Sequence, residues 1–177
     1  IGAPGPLTEA EVVSFACAIM SATGLKEWEL KIGHVGILND ILDNLGLEGD
    51  AVGNAMRLLD KGDFEGLEAS GINSTAVGNL QSLSQLNGGA ETLSNAREII
   101  SSMGVESEAL DQLEEMLASL DALGANPPSL VVDLTVARGL DYYTGMVFEI
   151  MVDTLGGEGQ VCGGGSYRLF HLFELDE

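Results

Sequence analysis

The chain has 177 residues, of which 45% are hydrophobic, and its 7 basic and 28 acidic residues give a formal net charge of −21. This length and hydrophobic content suit a folded globular chain and exclude an intrinsically disordered one. Seven cations cannot form the basic surface that gives a protein affinity for phosphate backbones, so we do not expect the chain to bind nucleic acid by itself. No apolar run approaches the roughly 18 residues of a membrane helix, so no membrane partner is expected.

The acidic surplus favours a protein adapted to salt, because dense carboxylates keep a protein hydrated when concentrated salt screens its charge. We therefore expect a halophilic source. Cys17 and Cys162 have neither the spacing of a disulfide framework nor that of a metal site, so both are expected to be reduced and the protein cytoplasmic. Residues 1–6 contain no initiator methionine and no basic signal region, which indicates a start within a longer protein or a processed chain.

The first predicted element is a helix that begins at Thr8, where Thr8 and Glu11 can form a capping box. Gly24 offers a left-handed stop at its end, and residues 28–32 then alternate between apolar and charged, which predicts a half-buried strand. The apolar residues that recur at helical spacing and so predict the buried face of the helix are Val12, Phe15, Ala16, Ile19 and Met20.

Residues 34–125 carry amphipathic helical patterns separated by glycines, and we predict a compact helical domain there. The predicted helices cover residues 35–45, 50–61, 75–86, 90–103 and 107–123. The pair Pro127-Pro128 ends this region, because proline lacks an amide donor and favours extended geometry in its predecessor.

Residues after the two prolines predict strands, of which the last two resemble a hairpin, and then a short helix from Ser166. The predicted strands cover residues 130–134, 146–152 and 159–162. Since a helix, a strand, a helical insertion and several strands follow one another, the fold class is α+β rather than a βαβ repeat. The chain divides into core residues 1–33, a helical insertion of residues 34–125, and core residues 126–177.

Two segments carry unusual chemistry, and the first is residues 137–145. It places Arg138, Asp141, Tyr142 and Tyr143 between two apolar strands. The guanidinium of an arginine can neutralise charge on a phosphate, while tyrosines both stack on a ring and hydrogen-bond to it. A small-molecule site and an Arg–Asp pair that closes a turn are both consistent with this pattern.

The second segment is residues 161–168, where Gly163, Gly164 and Gly165 precede Ser166 and Tyr167. Missing side chains let a ligand approach the backbone closely, although a tight turn also explains such a run. The segment lacks both the Gly-x-Gly-x-x-Gly spacing of a dinucleotide fold and the Gly-Lys-Ser/Thr of a phosphate loop.

Taken together, the two segments resemble the signature stretches of the class II histidyl-tRNA synthetases. The matching stretches are Arg-Gly-Leu-Asp-Tyr-Tyr at residues 138–143, Val-Phe-Glu at 147–149 and Gly-Gly-Ser-Tyr at 164–167, with Ile-Gly at 1–2, Glu-Ala-Glu-Val at 9–12 and Lys-Ile-Gly-His at 31–34. The last three resemble the stretch after the family's second motif. The resemblance therefore implies part of the antiparallel class II sheet, with residues 34–125 in the place of the insertion domain.

The resemblance also implies roles for individual residues. Arg138 matches the arginine that stabilises the α-phosphate when the histidine carboxylate attacks. The residues implied to bind histidine are Tyr142, Tyr143, Gly163, Gly164, Gly165 and Tyr167. Many family members have arginine where this chain has Ser166, and the short serine could leave room for substrate.

The implied reaction is formation of histidyl-adenylate from histidine and ATP with Mg²⁺, followed by transfer of histidine to tRNA(His), in an enzyme that is a homodimer. The first motif, the arginines of the second and third motifs and the anticodon-binding domain have no counterpart in the 177 residues. We therefore expect negligible aminoacylation by this chain alone, and no protein-held metal.

Two alternatives remain. One is a piece of the noncatalytic paralogue that regulates ATP phosphoribosyltransferase in histidine biosynthesis, and the other is a stand-alone helical binding module. The intact Arg-Gly-Leu-Asp-Tyr-Tyr stretch favours the synthetase over the paralogue. His34 is expected to cap the first helix of the insertion, and His171 to play a structural part in the last short helix.

Overall fold

A computed structural model describes residues 3–135, 142–153 and 159–167. Arg138, Asp141 and His171 lie outside these described residues. The described helices are α1 (Pro6–Ala22), α2 (Val35–Asn44), α3 (Asp50–Asp60), α4 (Phe64–Ala69), α5 (Ser74–Gln85), α6 (Thr92–Ser102) and α7 (Glu108–Ala122). The described strands are β1 (Glu29–His34), β2 (Ser129–Val132), β3 (Tyr143–Met151) and β4 (Gln160–Tyr167).

The four strands form one sheet in the order β2-β1-β3-β4. Strand β1 runs parallel to β2 and antiparallel to β3, and β3 runs antiparallel to β4. The pairing of β3 with β4 confirms the predicted hairpin, and the combination of a mostly antiparallel sheet with separate helices confirms the α+β fold class.

The sheet has two chemically different faces, because successive side chains in a strand point to opposite sides. One face, here called the helical face, carries fully buried apolar residues such as Leu30, Ile32 and Ile150, which belong to the same core as the helices. The opposite face is called the tyrosine face. Its residues are Lys31 of β1, Tyr143, Val147 and Glu149 of β3, and Gly163, Gly165 and Tyr167 of β4, which the strand registers place side by side.

The helical insertion matches its prediction closely, since all five predicted helices are present with ends shifted by only one or two residues. Helix α4 was not predicted, because six residues are too few to show a period. Gly24 and Gly104 follow helix ends with φ of 83° and 75°, a conformation that glycine adopts without steric cost.

A single core connects the three predicted segments. Helix α7 packs on α1, and α2 packs on β3. The buried core includes Val13 of α1, Leu113 of α7 and Phe148 of β3. The division at residues 33 and 125 stays a prediction about domains.

Helix α1 differs from its prediction in two respects. It begins at Pro6 after Gly5, which makes no side-chain capping bond, so the predicted capping box at Thr8 is wrong. The buried residues of α1 are Ala10, Val13, Cys17 and Met20, whereas Val12, Phe15 and Ile19 of the predicted buried face are more than half exposed. The apolar residues of α1 occur on all sides of the helix, so their periodicity does not predict which face is buried.

The predicted helix from Ser166 is also wrong at its start, since Ser166 and Tyr167 belong to β4. The glycines from Gly163 to Gly165 therefore lie inside a strand and not in a turn. Backbone pairing with β3 imposes this extended geometry on residues whose own preference is weak.

Candidate functional site

The three tyrosines of the two unusual segments come together at one end of the sheet. Tyr143 of β3 is paired with Tyr167 of β4. The ring centroids lie 4.7 Å apart for Tyr142 and Tyr143, 5.7 Å for Tyr142 and Tyr167, and 6.3 Å for Tyr143 and Tyr167. Tyr142 and Tyr167 are 37% and 55% exposed, so the cluster presents aromatic surface and hydroxyl groups to solvent.

The glycines of β4 divide between the two faces of the sheet. A Cβ atom added to Gly165 would lie 2.5 Å from the backbone oxygen of Met146 and 2.9 Å from the ring of Tyr143, so that ring covers the strand at this glycine. A Cβ atom on Gly163 would lie 2.7 Å from the side-chain nitrogen of Gln160. Gly164 instead turns toward the ring of Phe148 on the helical face. Only Gly163 and Gly165 of the three predicted glycines thus lie on the tyrosine face.

Glu149 is a buried acid on the tyrosine face. Its residue is 6% exposed, and it lies between Lys31 of β1 and Gly163 of β4. This residue belongs to the Val-Phe-Glu stretch at residues 147–149, and no individual role is predicted for it from the sequence. The signal that could have found it is a single carboxylate within the otherwise apolar stretch 146–152.

The surroundings of Tyr143, which include this acid, raise the pKa of its phenol. Burial is the main cause that raises the pKa of the Tyr143 phenol above its usual value, followed by a hydrogen bond with Tyr142 and by the nearby Tyr142, Tyr167 and Glu149. The phenol of Tyr143 therefore stays protonated at neutral pH and can donate a hydrogen bond to a ligand.

Ser166 lies on the opposite side of β4 from the tyrosines. Its hydroxyl donates a hydrogen bond to the carboxylate of Glu9 in α1. This hydrogen bond connects β4 with the first helix, and the expectation that the short Ser166 side chain leaves room for substrate stays a prediction.

His34 has the structural role that the sequence predicts. Its Nδ1 atom accepts a hydrogen bond of 3.1 Å from the amide of Gly36 at the start of α2. Burial lowers the pKa of the imidazole, although Glu9, Gln112 and Asp40 partly oppose this shift. The ring is therefore neutral near pH 7, as a helix cap that accepts a hydrogen bond requires.

Two cavities of about 290 Å³ each lie away from the tyrosine cluster. One is lined by residues of the turn after α2, of α3 and of the turn between α4 and α5, and the other lies beside Trp28 and Met151. Neither is lined by a residue predicted to bind histidine. Within residues 3–135, 142–153 and 159–167 no group of three His, Cys, Asp or Glu side chains could hold a metal ion.

Comparison with known proteins decides the family of the chain. The family model described as histidyl-tRNA synthetase matches residues 1–175. The chain belongs to the histidyl-tRNA synthetase family. This confirms the resemblance seen in the Arg138 and Gly164 stretches.

Relatives of the synthetase family align along the whole chain. It is 40% identical to the histidine–tRNA ligase of Methanoregula boonei over 177 residues, which are 100% of this chain and 40% of that protein. The histidine–tRNA ligase of Archaeoglobus fulgidus is also 40% identical, over 98% of this chain and 40% of its own length. The chain therefore spans about two fifths of the length of these relatives.

Solved structures of the synthetase family share the fold. A histidyl-tRNA synthetase from Nostoc sp. PCC 7120 superposes with a TM-score of 0.83 at 21% identity, over 98% of this chain and 43% of that one. A Bacillus halodurans protein described as an ATP phosphoribosyltransferase regulatory subunit/histidyl-tRNA synthetase gives a TM-score of 0.80 at 29% identity, over 96% and 44%. Among the residues of our chain that the structure describes, no helix is both long and apolar enough to cross a membrane.

Proposed function

We propose that this chain supplies part of the active site of a histidine–tRNA ligase, with the histidine side chain held on the tyrosine face. The proposal depends on one observation. In a chain that matches the synthetase family from end to end, three tyrosines and two glycines meet on one face of the sheet. Aromatic rings and close backbone approach suit a flat heterocycle, and the phenol of Tyr143 can donate to a ring nitrogen.

The roles within the proposed site follow the family pattern. Tyr142, Tyr143 and Tyr167 would surround the imidazole, with Gly163 and Gly165 as the floor. Arg138, which lies outside the described residues, would neutralise the α-phosphate of ATP as the histidine carboxylate attacks. Mg²⁺ would enter with the phosphates of ATP and needs no complete cage of protein ligands. The second substrate would be tRNA(His).

In a longer enzyme of this kind we propose a homodimer in the cytoplasm, since the synthetase works where histidine, ATP and tRNA(His) meet. The chain alone should show negligible aminoacylation, because it spans about two fifths of the relatives that carry this name. With part of the phosphate-binding machinery elsewhere, ATP would not be positioned for attack.

A second candidate is the regulatory subunit of ATP phosphoribosyltransferase, which the description of the Bacillus halodurans structure favours. Two observations weigh against it. Relatives named histidine–tRNA ligase reach 40% identity, and the Arg138 stretch of the synthetase pattern is complete. A regulatory subunit has no need for an arginine that neutralises a phosphate during activation.

Calorimetric titration of L-histidine into the chain in molar KCl tests the proposed half-site. Saturable binding that Tyr167→Phe weakens, with Arg138→Ala close to wild type, is expected, because the phenol contacts histidine whereas the arginine serves ATP. The absence of binding at millimolar histidine by a chain that circular dichroism shows to be folded would contradict the proposal.

A further inference from the structure

The only two cysteines of the sequence lie in the same layer of the molecule. Cys17 of α1 is buried in the core, and Cys162 of β4 is half-buried and packs against that core. We propose that the two thiols form a redox site, in which an oxidant of the small-molecule disulfide class joins them by one reversible intramolecular disulfide bond. The site lies on the opposite face of the sheet from the proposed histidine half-site and does not depend on it.

The side of β4 that carries Cys162 is the side that faces α1. Successive side chains of a strand alternate, so Cys162, Gly164 and Ser166 lie on one face of the sheet. The hydroxyl of Ser166 donates a hydrogen bond to Glu9 of α1, and a Cβ atom on Gly164 would meet the ring of Phe148, which belongs to the core. Cys162 therefore points into the layer between the sheet and α1.

The connections of the chain fix the direction of α1 along β4. Glu9, near the start of the helix, contacts Ser166, which lies at the end of the sheet where β1 finishes and β3 begins. After α1 ends at Ala22, the chain enters β1 at Glu29, which lies at the opposite end of the sheet, as Gln160 of β4 does. Helix α1 therefore runs from the Ser166 end of β4 toward its Gln160 end.

This direction brings the two thiols to the same level of the layer. From Glu9 to Cys17 the helix rises about 12 Å, and from Ser166 to Cys162 the strand spans about 13 Å. Cys17 also belongs to the buried side of α1. Burial is the main cause that raises the pKa of the Cys17 thiol, and Cys162 raises it further, which agrees with two thiols that are neighbours.

The bond forms by two thiol–disulfide exchanges. The thiolate of Cys162, the more exposed of the two cysteines, attacks one sulfur of the oxidant, whose S–S bond breaks and releases one small thiolate. The thiolate of Cys17 then attacks the Cys162 sulfur, the mixed disulfide breaks, and a second small thiolate leaves. The two protons that the cysteines lose pass to the two small thiolates. One oxidant molecule is thus reduced while two protein thiols are oxidised, and a thiol reductant reverses both steps.

The cross-link fixes the glycine strand of the tyrosine face to the first helix. Because a bond between residues 17 and 162 closes a loop over most of the chain, it strongly restricts the unfolded state. We therefore expect oxidation to raise the thermal midpoint by roughly 10 °C.

The first experiment treats the wild-type chain with 2-hydroxyethyl disulfide in molar KCl and maps its peptides by mass spectrometry without reduction. The expected product is a monomer joined between Cys17 and Cys162, whose raised thermal midpoint returns to its starting value after dithiothreitol. A folded chain that stays unreacted, stops at a mixed disulfide on Cys162, or forms cross-links only between molecules would overturn the proposal.

A matched control moves one thiol to the outer side of the helix. The double variant Cys17→Ala with Ala18→Cys keeps two thiols in the chain, but residue 18 is exposed and is turned by about 100° from residue 17. With its fold checked by circular dichroism, this variant should form the intramolecular bond roughly 10-fold or more slowly than the wild type, because its thiol is directed away from β4. Equal rates in the two chains would show that α1 does not hold Cys17 against Cys162, and this result would overturn the proposed site.

Discussion

The helical insertion and the tyrosine face differ in where their buried polar groups lie in the secondary structure. Among the described residues, the buried polar groups of the helical region stand at the starts of helices, where His34 caps α2, Ser107 caps α7, and Thr92 is the first residue of α6. Glu149, by contrast, is in the middle of a strand whose backbone is already paired on both sides. Helix starts therefore account for the polar burial in the first region, whereas the buried acid of the second region is a strand residue.

Ser107 illustrates how closely the helical region serves its own fold. Its hydroxyl accepts a hydrogen bond of 3.2 Å from the amide of Leu110 and donates one of 2.6 Å to Asp40 of α2. One side chain thus caps a helix and ties it to another. A buried polar group with two such structural bonds needs no ligand to explain its burial.

The largest expected effect tests whether the two regions are separable at all. Leu113 of α7 is fully buried in the core that includes α1 and the sheet, so Leu113→Ala should cost about 3 kcal/mol in the free energy of unfolding. Urea unfolding should give the same midpoint by far-UV circular dichroism and by the fluorescence of Trp28, the only tryptophan. Leu123→Ala, at a position 46% exposed, is the control, with a cost below about 0.5 kcal/mol. Separate midpoints would show that the helices unfold independently of the sheet.

The next effect concerns the close approach at Gly165. In Gly165→Ala the new Cβ atom would meet a backbone oxygen at 2.5 Å, so β3 and β4 must separate, at a cost of about 1–3 kcal/mol. Gly78→Ala is the matched control, because a Cβ atom there meets nothing within 4 Å in the interior of α5 and should stabilise the helix by about 0.5–1 kcal/mol. Thermal unfolding of both variants measures the contrast. A stable Gly165→Ala would contradict the packing described for Tyr143.

A smaller effect is expected at His34, a buried polar residue whose role as the cap of α2 is structural. His34→Ala should cost about 1 kcal/mol through loss of the cap, while His34→Asn keeps a capping side chain. Burial lowers the pKa of His34 in the folded state, so the unfolded state takes up a proton first as pH falls below about 6.5. The wild type should therefore lose stability relative to His34→Asn as pH falls from 7 to 5, and the difference between the two should not change with pH above pH 7. Denaturant unfolding at a series of pH values measures this difference, and a constant difference would contradict a buried, neutral imidazole.

The smallest effect is chemical and leaves the fold unchanged. Burial raises the pKa of the Cys17 thiol to about 11, with a further contribution from nearby Cys162. Since the thiolate is the reactive form, Cys17 in the folded chain should resist alkylation at pH 8 and react readily in urea. Peptide mass spectrometry after iodoacetamide treatment checks this. Rapid labelling of Cys17 in buffer would mean that α1 leaves the sheet easily.

How far the sequence predicts this molecule depends on whether the deciding contacts are local. Helices such as α5 and α7 were predicted because glycines bound them and their apolar residues repeat at a helical spacing. The buried face of α1 could not be predicted, because apolar residues occur all around this helix and its packing on α7 and β4, which is not local, selects one side. The predicted helix at Ser166 is wrong because the conformation of this residue is decided by the pairing of β4 with β3, which is not local.

The candidate site also has features that the sequence predicts and features that depend on contacts between strands. The tyrosines and glycines could be named from their unusual composition, yet their assembly on one face depends on the register of β3 with β4. The separation of Gly164 from Gly163 and Gly165 follows from the alternation of a strand, which could not be applied while the three were interpreted as a turn. The burial of Glu149 depends on two neighbouring strands, so composition alone could not reveal it. The roles of Arg138 and the predicted salt adaptation stay predictions.

The neighbouring strands β1 and β2 run parallel, although residues 35–128 separate them in the chain. A parallel pair requires only a crossover of about a dozen residues, so most of this connection exceeds what the sheet needs. The entropic cost of lengthening a connection also grows slowly, by about 0.6 kcal/mol for each doubling. Insertions and deletions between α2 and α7 can therefore accumulate during evolution while the register of the sheet, and with it the spacing between Glu149 and the tyrosines, is kept.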